Sequence, residues 1–504
     1  LRDLVITGNN ITTNGTVSNN GIHLQNNIIN ATVSRNSVYA SGTGASTYGI
    51  FLEASDELIQ GGASGCSNMS LITVGSNSVI LNSSTSSGGI QAAVTATPCT
   101  LRDFVISNNS IIARGSSIIE GMRLDGTGST VANTFNGLVA NNNIDAGGST
   151  TSHIGILFEG GVRNHTIRNN TIRTNGSSGN NGIQMSDTDN NRIIGNDIIS
   201  NGTGGNSVGL ALLDGSDNNT IANNSITAAG TGTTGTFAVQ IDTAATDITS
   251  NVIDNNVITL VNLQTTNGND GIRVTGAATG DVRDNNITNN TIIHLVSGTP
   301  NRGIVLDLGV VHTLIRGNVI QRTGGSSGNI GILLDGGSLA AVVNNTIEDN
   351  VITTNGSGAS NYGVHFTGFA TAHTAGNVVR NNTIVTFGTT TNYGIRLDTF
   401  SNNNTIANNT ILSGGSGTGN DGMIVVQSSN NTFINNVVRA NGSNLSHGVE
   451  LTTSSTRNIF SNNNLTTFAS ASHAIFSSAS NNTFINTLLN DPVQWIFSDS
   501  SSNN

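Results

Sequence analysis

One phrase recurs from end to end of this 504-residue chain: Gly-Ile-x-Leu, a polar loop, then Asn-Asn-x-Ile. It reads Gly394-Ile395-Arg396-Leu397, then Asn403-Asn404-Thr405-Ile406 and Asn408-Asn409-Thr410-Ile411. One repeat on, it reads Gly422-Met423-Ile424-Val425, then Asn430-Asn431-Thr432-Phe433 and Asn435-Asn436-Val437-Val438. The opening glycine can be followed from Gly21 and Gly49 to Gly448, with Ala238 and Ala474 taking the slot in two repeats. Consecutive anchors lie 26 to 40 residues apart. A period of that size is the signature of a solenoid in which each repeat folds only by stacking on its neighbours.

Within a repeat, apolar and polar residues alternate in short runs, which is the pattern of strands rather than helices. Ile395 and Leu397 point one way, Arg396 and Asp398 the other. The Asn corners suit left-handed turn geometry, and stacked Asn side chains can hydrogen-bond to the coils above and below. Only 3 prolines in the chain agree with a ladder that needs its backbone N–H groups. The expectation is an all-β parallel β-solenoid of about 16–17 coils, roughly 80 Å long at the usual strand spacing, with residues 1–504 as a single segment.

The repeat resembles the right-handed parallel β-helix proteins, the pectate-lyase-like superfold, over the whole chain. That superfold carries lyases, hydrolases, tailspikes and adhesins, so the resemblance implies a fold and leaves activity open. β-Helix polygalacturonases resemble one another in an Asn-Thr-Asp segment, an Asp-Asp pair, a Gly-His-Gly and an Arg-Ile-Lys. None of these occurs here.

Composition narrows the partners. There are 18 basic and 29 acidic residues, every basic one an arginine, and a net charge of −11 without a basic cluster. Nucleic acid is therefore not an expected partner. No apolar run is long enough to span a membrane as a helix. Cys66 and Cys99 fall at nearly the same place in adjacent repeats, where a disulfide is within reach, and a disulfide implies an extracellular or cell-surface location. The chain opens and closes in mid-repeat, so it is expected to be a segment of a longer protein, with self-association end to end or with other surface proteins.

The sharpest constellation is acidic. Four residues after an anchor glycine stand Glu53, Asp125, Glu159, Asp307, Asp335 and Asp398, all of outward parity. Asp125 and Glu159, and likewise Asp307 and Asp335, belong to adjacent coils. Such pairs can cap turns or pair with Arg123 and Arg396 on the same face, hold Ca²⁺, or act as acid and base on a glycosidic bond. Capping and pairing are the favoured role. Tyr48, Tyr362 and Tyr393, each just before an anchor glycine, are candidates to stack on sugar rings. The scattered histidines form no metal set, His365 and His373 being the closest in sequence. The preferred function is a non-enzymatic structural or adhesive solenoid. The alternative is a carbohydrate-active enzyme or a tailspike-like glycan-binding module using the outward acids.

Overall fold

The computed structural model describes the chain except residues 17–18, 45, 59–63, 67, 85–86, 97–98, 127–133, 231–234, 262–267, 296–299, 324–326, 469, 491–494 and 500–504, and the side chains of 56–58, 64–66, 323 and 495–499. Two compact units emerge: Leu1–Gln240 with Thr249–Val252, and Ile241–Ile248 with Ile253–Asn504. Both are all-β parallel solenoids built from the same coil, as the repeat predicts. Among the described residues no helix is long and apolar enough to cross a membrane.

A coil holds three short strands, for example Tyr393–Leu397, Thr405–Ala407 and Thr410–Gly415 in the second unit. The next coil stacks on it in parallel, with Ile395 over Met423, Ile406 over Phe433 and Ile411 over Val438. The first unit repeats this, with Ile156 over Ile183, Ile167 over Ile193 and Ile172 over Ile198. Each inward column is therefore apolar along its length, and all six of these isoleucine positions in the first unit are 0% exposed. Burial of each such side chain contributes about 1.5–3 kcal/mol. Phe433 and Phe460 extend one column as a ring stack, 4.4 Å between centroids and 3° from parallel.

The two asparagines of each corner do different work. The first lies in the left-handed region, as in Asn169 (φ 55°), Asn408 (φ 55°) and Asn435 (φ 56°), and faces solvent. The second joins a ladder and is buried everywhere except at its first rung, Asn9. In the first unit the ladder runs Asn9, Asn36, Asn77, Asn109, Asn142, Asn170, Asn196, Asn224. In the second it runs Asn256, Asn290, Asn318, Asn350, Asn382, Asn409, Asn436, Asn463. Each Oδ1 accepts from the backbone N–H and the Nδ2 of the asparagine one coil before. Each rung thus satisfies backbone groups that a buried turn would otherwise strand.

One rung shows what the position demands. His165 occupies an asparagine slot: its Nδ1 accepts from the Gly137 N–H at 2.8 Å and its Nε2–H donates to the Thr134 carbonyl at 3.2 Å. An imidazole in this tautomer offers the acceptor and donor that a carboxamide offers. Burial pushes its pKa down to about 4, so the ring stays neutral at physiological pH.

The long repeat after Gly49 carries an extra feature, an antiparallel pair Asp56–Leu58 with Ser64–Cys66. Near the end of the chain a strand, Trp495–Asp499, pairs in parallel with His473–Ser477. The expected Cys66–Cys99 pairing falls outside the described residues; Cys99 itself is buried.

Candidate functional site

The chemistry gathers on the outer face of the strands that open at the anchor glycine, and a break in the alternation arranges it. A Cβ on Gly121 would point into the core, 2.2 Å from Ile144 Cγ2, and the next residue, Met122, is also buried. Two consecutive residues thus face inward. The residue before the glycine, Glu120, emerges on the same side as Arg123 and Asp125, although simple parity would hide it.

In the first unit Arg123 is the hub. Its guanidinium reaches Glu120 at 3.3 Å, Asp125 at 2.9 Å and Glu159, one coil on, at 2.8 Å. The expected pair Asp125 and Glu159 is in register, with an arginine holding both. Burial pushes the Glu120 carboxyl up to about 7, against the pull of Arg123. Tyr48 lies near this group, and its ring packs against Phe51 with centroids 4.9 Å apart. Glu53 bonds His23 at 2.9 Å.

Because the carboxyl of Glu120 is raised, its ionisation opposes folding. That penalty is absent below the ordinary value near 4.5 and grows as pH climbs to about 7. Glu120→Gln is therefore expected to be near neutral at pH 4 and to stabilise at pH 8 by on the order of 1–3 kcal/mol, read by urea unfolding at the two pH values. Loss of stability at pH 8 would show that the ionised Glu120–Arg123 contact outweighs burial.

In the second unit the pattern recurs twice. Arg273 bonds Asp307 at 2.6 Å and Asp270 at 3.4 Å, while Arg302 closes on the fully buried Asp270 through Nε at 2.6 Å and Nη2 at 3.0 Å. Burial raises the Asp307 carboxyl, with Arg273 opposing. Asp335 is in register with Asp307 and accepts from the Gly337 N–H at 3.0 Å, capping its own turn. Farther along, Arg396 Nε donates to Asp398 at 2.8 Å, and His365 Nε2 meets the same carboxylate oxygen at 2.8 Å. Burial alone would raise Asp398; these hydrogen bonds outweigh it and hold the carboxyl below its usual range. Tyr362 and Tyr393 stack with centroids 5.4 Å apart, and the Arg396 guanidinium lies 5.2 and 5.4 Å from the two rings. Tyr393 is only 7% exposed, so this ring is packing rather than an open platform. Beside it, burial and the neighbouring Glu450 drive the Asp421 carboxyl well above its ordinary value.

The structure thus brings the predicted acids into register: Arg123 bridges Asp125 and Glu159, whereas Asp307 is held by Arg273 and Asp335 caps its own turn. It adds Glu120, Asp270, Asp421 and Glu450, which the sequence reading did not single out. His365 and His373 do not meet: His365 bonds Asp398, while His373 packs edge-on against Phe400. The histidines that do lie together, with ring centroids 5.2 Å apart, are His447 and His473, one repeat apart. Among the described residues no three His, Cys, Asp or Glu side chains are placed to share a metal ion.

The fold and this face define a class. The family model described as the right-handed β-helix region matches residues 232–411 and 357–489, together just over half of the chain, and the chain belongs to that family. No curated protein matches it by sequence. Among solved structures it is similar to the periplasmic alginate epimerase AlgG, at 12% identity and a TM-score of 0.40 over 79% of this chain and 77% of that one. It is also similar to the Azotobacter vinelandii mannuronan C-5 epimerase AlgE4 A-module, at 13% and 0.26 over 90% of each chain. The Dettilon tailspike protein follows at 12% and 0.34, over 79% of this chain and 62% of that one. Likeness at this level carries no argument about activity or ligand.

Proposed function

We propose that this chain is a non-enzymatic, extracellular structural or adhesive β-solenoid that acts in attachment or self-assembly. One observation carries the reading: the outward carboxylates are consumed in bonds within and between coils. Asp125 and Glu159 are held by Arg123, Asp307 by Arg273, and Asp398 by Arg396 and His365. A glycosidase needs one carboxylic acid and one available carboxylate across a gap open to substrate. Between Asp125 and Glu159 a guanidinium occupies that gap. A Cys66–Cys99 disulfide belongs to the same reading as a clamp between two coils.

Electron microscopy of the native material under non-reducing conditions tests this. Surface-attached fibres or end-to-end assemblies are the expected result. Discrete, unattached particles would overturn it.

A second reading, a carbohydrate-active face, is favoured by one feature, the Asp421 carboxyl raised by burial and by Glu450 beside Tyr393. Two carboxyl groups close enough to raise one of them are an arrangement that acid–base chemistry uses. This reading requires polysaccharide turnover that Asp421→Asn abolishes.

A further inference from the structure

We infer that the first unit carries a binding groove for a neutral oligosaccharide, distinct from the charged clusters. The groove encloses about 330 Å³ and is lined by Ile154, Asn181, Gln184, Asn206, Val208, Phe237 and Gln240 with Ser152 and Gly179. It extends the adhesive reading by naming the ligand class.

The register builds it. Ile154, Asn181 and Val208 stack in one column, and the Phe237 N–H donates to the Ser207 carbonyl, which places Phe237 one coil beyond Val208. The floor is apolar: Ile154 and Val208 are 7% and 5% exposed, and the Phe237 ring is half-buried beside them. The rim is amide. Asn181 Nδ2 donates to Gln184 Oε1 at 2.7 Å, which fixes that carboxamide and leaves the Gln184 Nε2 hydrogens for a ligand oxygen. Asn206 is exposed and Gln240 half-buried.

This combination selects by chemistry. Carboxamides supply both a donor and an acceptor, which vicinal hydroxyls need and an apolar ligand does not. A flat aromatic face suits the C–H side of a sugar ring. Successive coils are spaced by about 4.8 Å, close to the repeat of an extended pyranose chain, so neighbouring rings meet equivalent positions. No charged side chain lines the groove. The chain as a whole carries a net charge of −11. An acidic glycan would find no cation among the lining residues and would approach a chain of net negative charge.

The test is isothermal titration of the full chain with cellohexaose, maltohexaose, mannohexaose and xylohexaose, and with hexagalacturonate as the acidic probe. At least one neutral hexasaccharide should bind, at least tenfold tighter than hexagalacturonate. Gln184→Ala and Phe237→Ala should each weaken it by tenfold or more, and the near-isosteric change Gln184→Glu at this half-buried position should do so without altering the melting temperature. Arg439→Ala, at an exposed position in the other unit, should leave binding unchanged. Absence of neutral binding at millimolar concentration, preference for hexagalacturonate, or indifference to Gln184→Glu would each overturn the site while leaving the non-enzymatic reading intact. A neutral hexasaccharide that binds and is then cleaved would support the site and overturn that reading instead.

Discussion

Asn382→Ala is expected to destabilise the second unit by about 3–5 kcal/mol, a large effect for removing one small polar side chain. Asn382 Oδ1 accepts from the backbone N–H and Nδ2 of Asn350, both at 2.9 Å, and its Nδ2 donates to the Ile347 carbonyl and to Asn409 Oδ1, both at 3.0 Å. The residue is 1% exposed, so water cannot take over these roles. Alanine leaves two donors and a carbonyl stranded, and each orphan costs about 1–3 kcal/mol before relaxation. Asn382→Asp should be worse than alanine at neutral pH. It keeps the acceptor, loses the donor and turns a buried negative charge toward the Ile347 carbonyl. Its carboxyl would titrate above the unfolded value, so the penalty is full above that raised pKa and relieved as pH falls through it. Urea unfolding at pH 4 and pH 7, with hydrogen exchange to localise the opening, reads both effects. If alanine cost less than about 1 kcal/mol, the ladder would be decoration on a fold held by its apolar columns.

Gly363→Ala is the second large effect, and its origin is steric. A Cβ there would lie 2.2 Å from Ile384 Cγ2 and 2.5 Å from the Gly394 carbonyl oxygen. Neither neighbour can yield easily, since one is a β-branched core side chain and the other is backbone of the next coil. Overpacking of this kind costs about 1–3 kcal/mol or more. The comparison with Gly448→Ala is diagnostic. There the added Cβ meets Leu465 Cβ only at 3.2 Å, although the Ala474 carbonyl oxygen is still 2.6 Å away. Gly448→Ala should therefore cost roughly half as much, and the double change Gly363→Ala with Ile384→Ala should cost less than the sum of its parts. Equal costs at Gly363 and Gly448 would place the strain at the carbonyl alone.

These two cases also show how far the sequence could be read. The period of the repeat is enough to predict strands, coils and inward columns, because stacked coils must put like on like. The acids four positions after each glycine were legible for the same reason. Glu120, Asp270 and Asp421 were not, because the anchor glycine and its successor both face inward and shift the alternation for the residue before them. Had the glycine been read as a close-approach position, the slip would have been visible. The pairing pattern was also beyond reach: Arg123 bonds forward to Glu159, whereas Arg302 bonds back to Asp270, and only side-chain geometry decides which. His447 and His473, 26 residues apart, are neighbours because one repeat separates them, whereas His365 and His373, close in sequence, sit in different parts of a coil.

The most direct test of the central claim, that these carboxylates are structural, is product analysis. The chain is incubated with a panel of neutral and acidic polysaccharides, and the mixtures are followed by proton NMR for cleavage, elimination or epimerisation. Unchanged polysaccharides throughout are the expected result. Any product that disappears with Asp421→Asn or with Arg396→Ala, in variants that keep the native melting temperature, would contradict the claim and make this strand face of the second unit an active site.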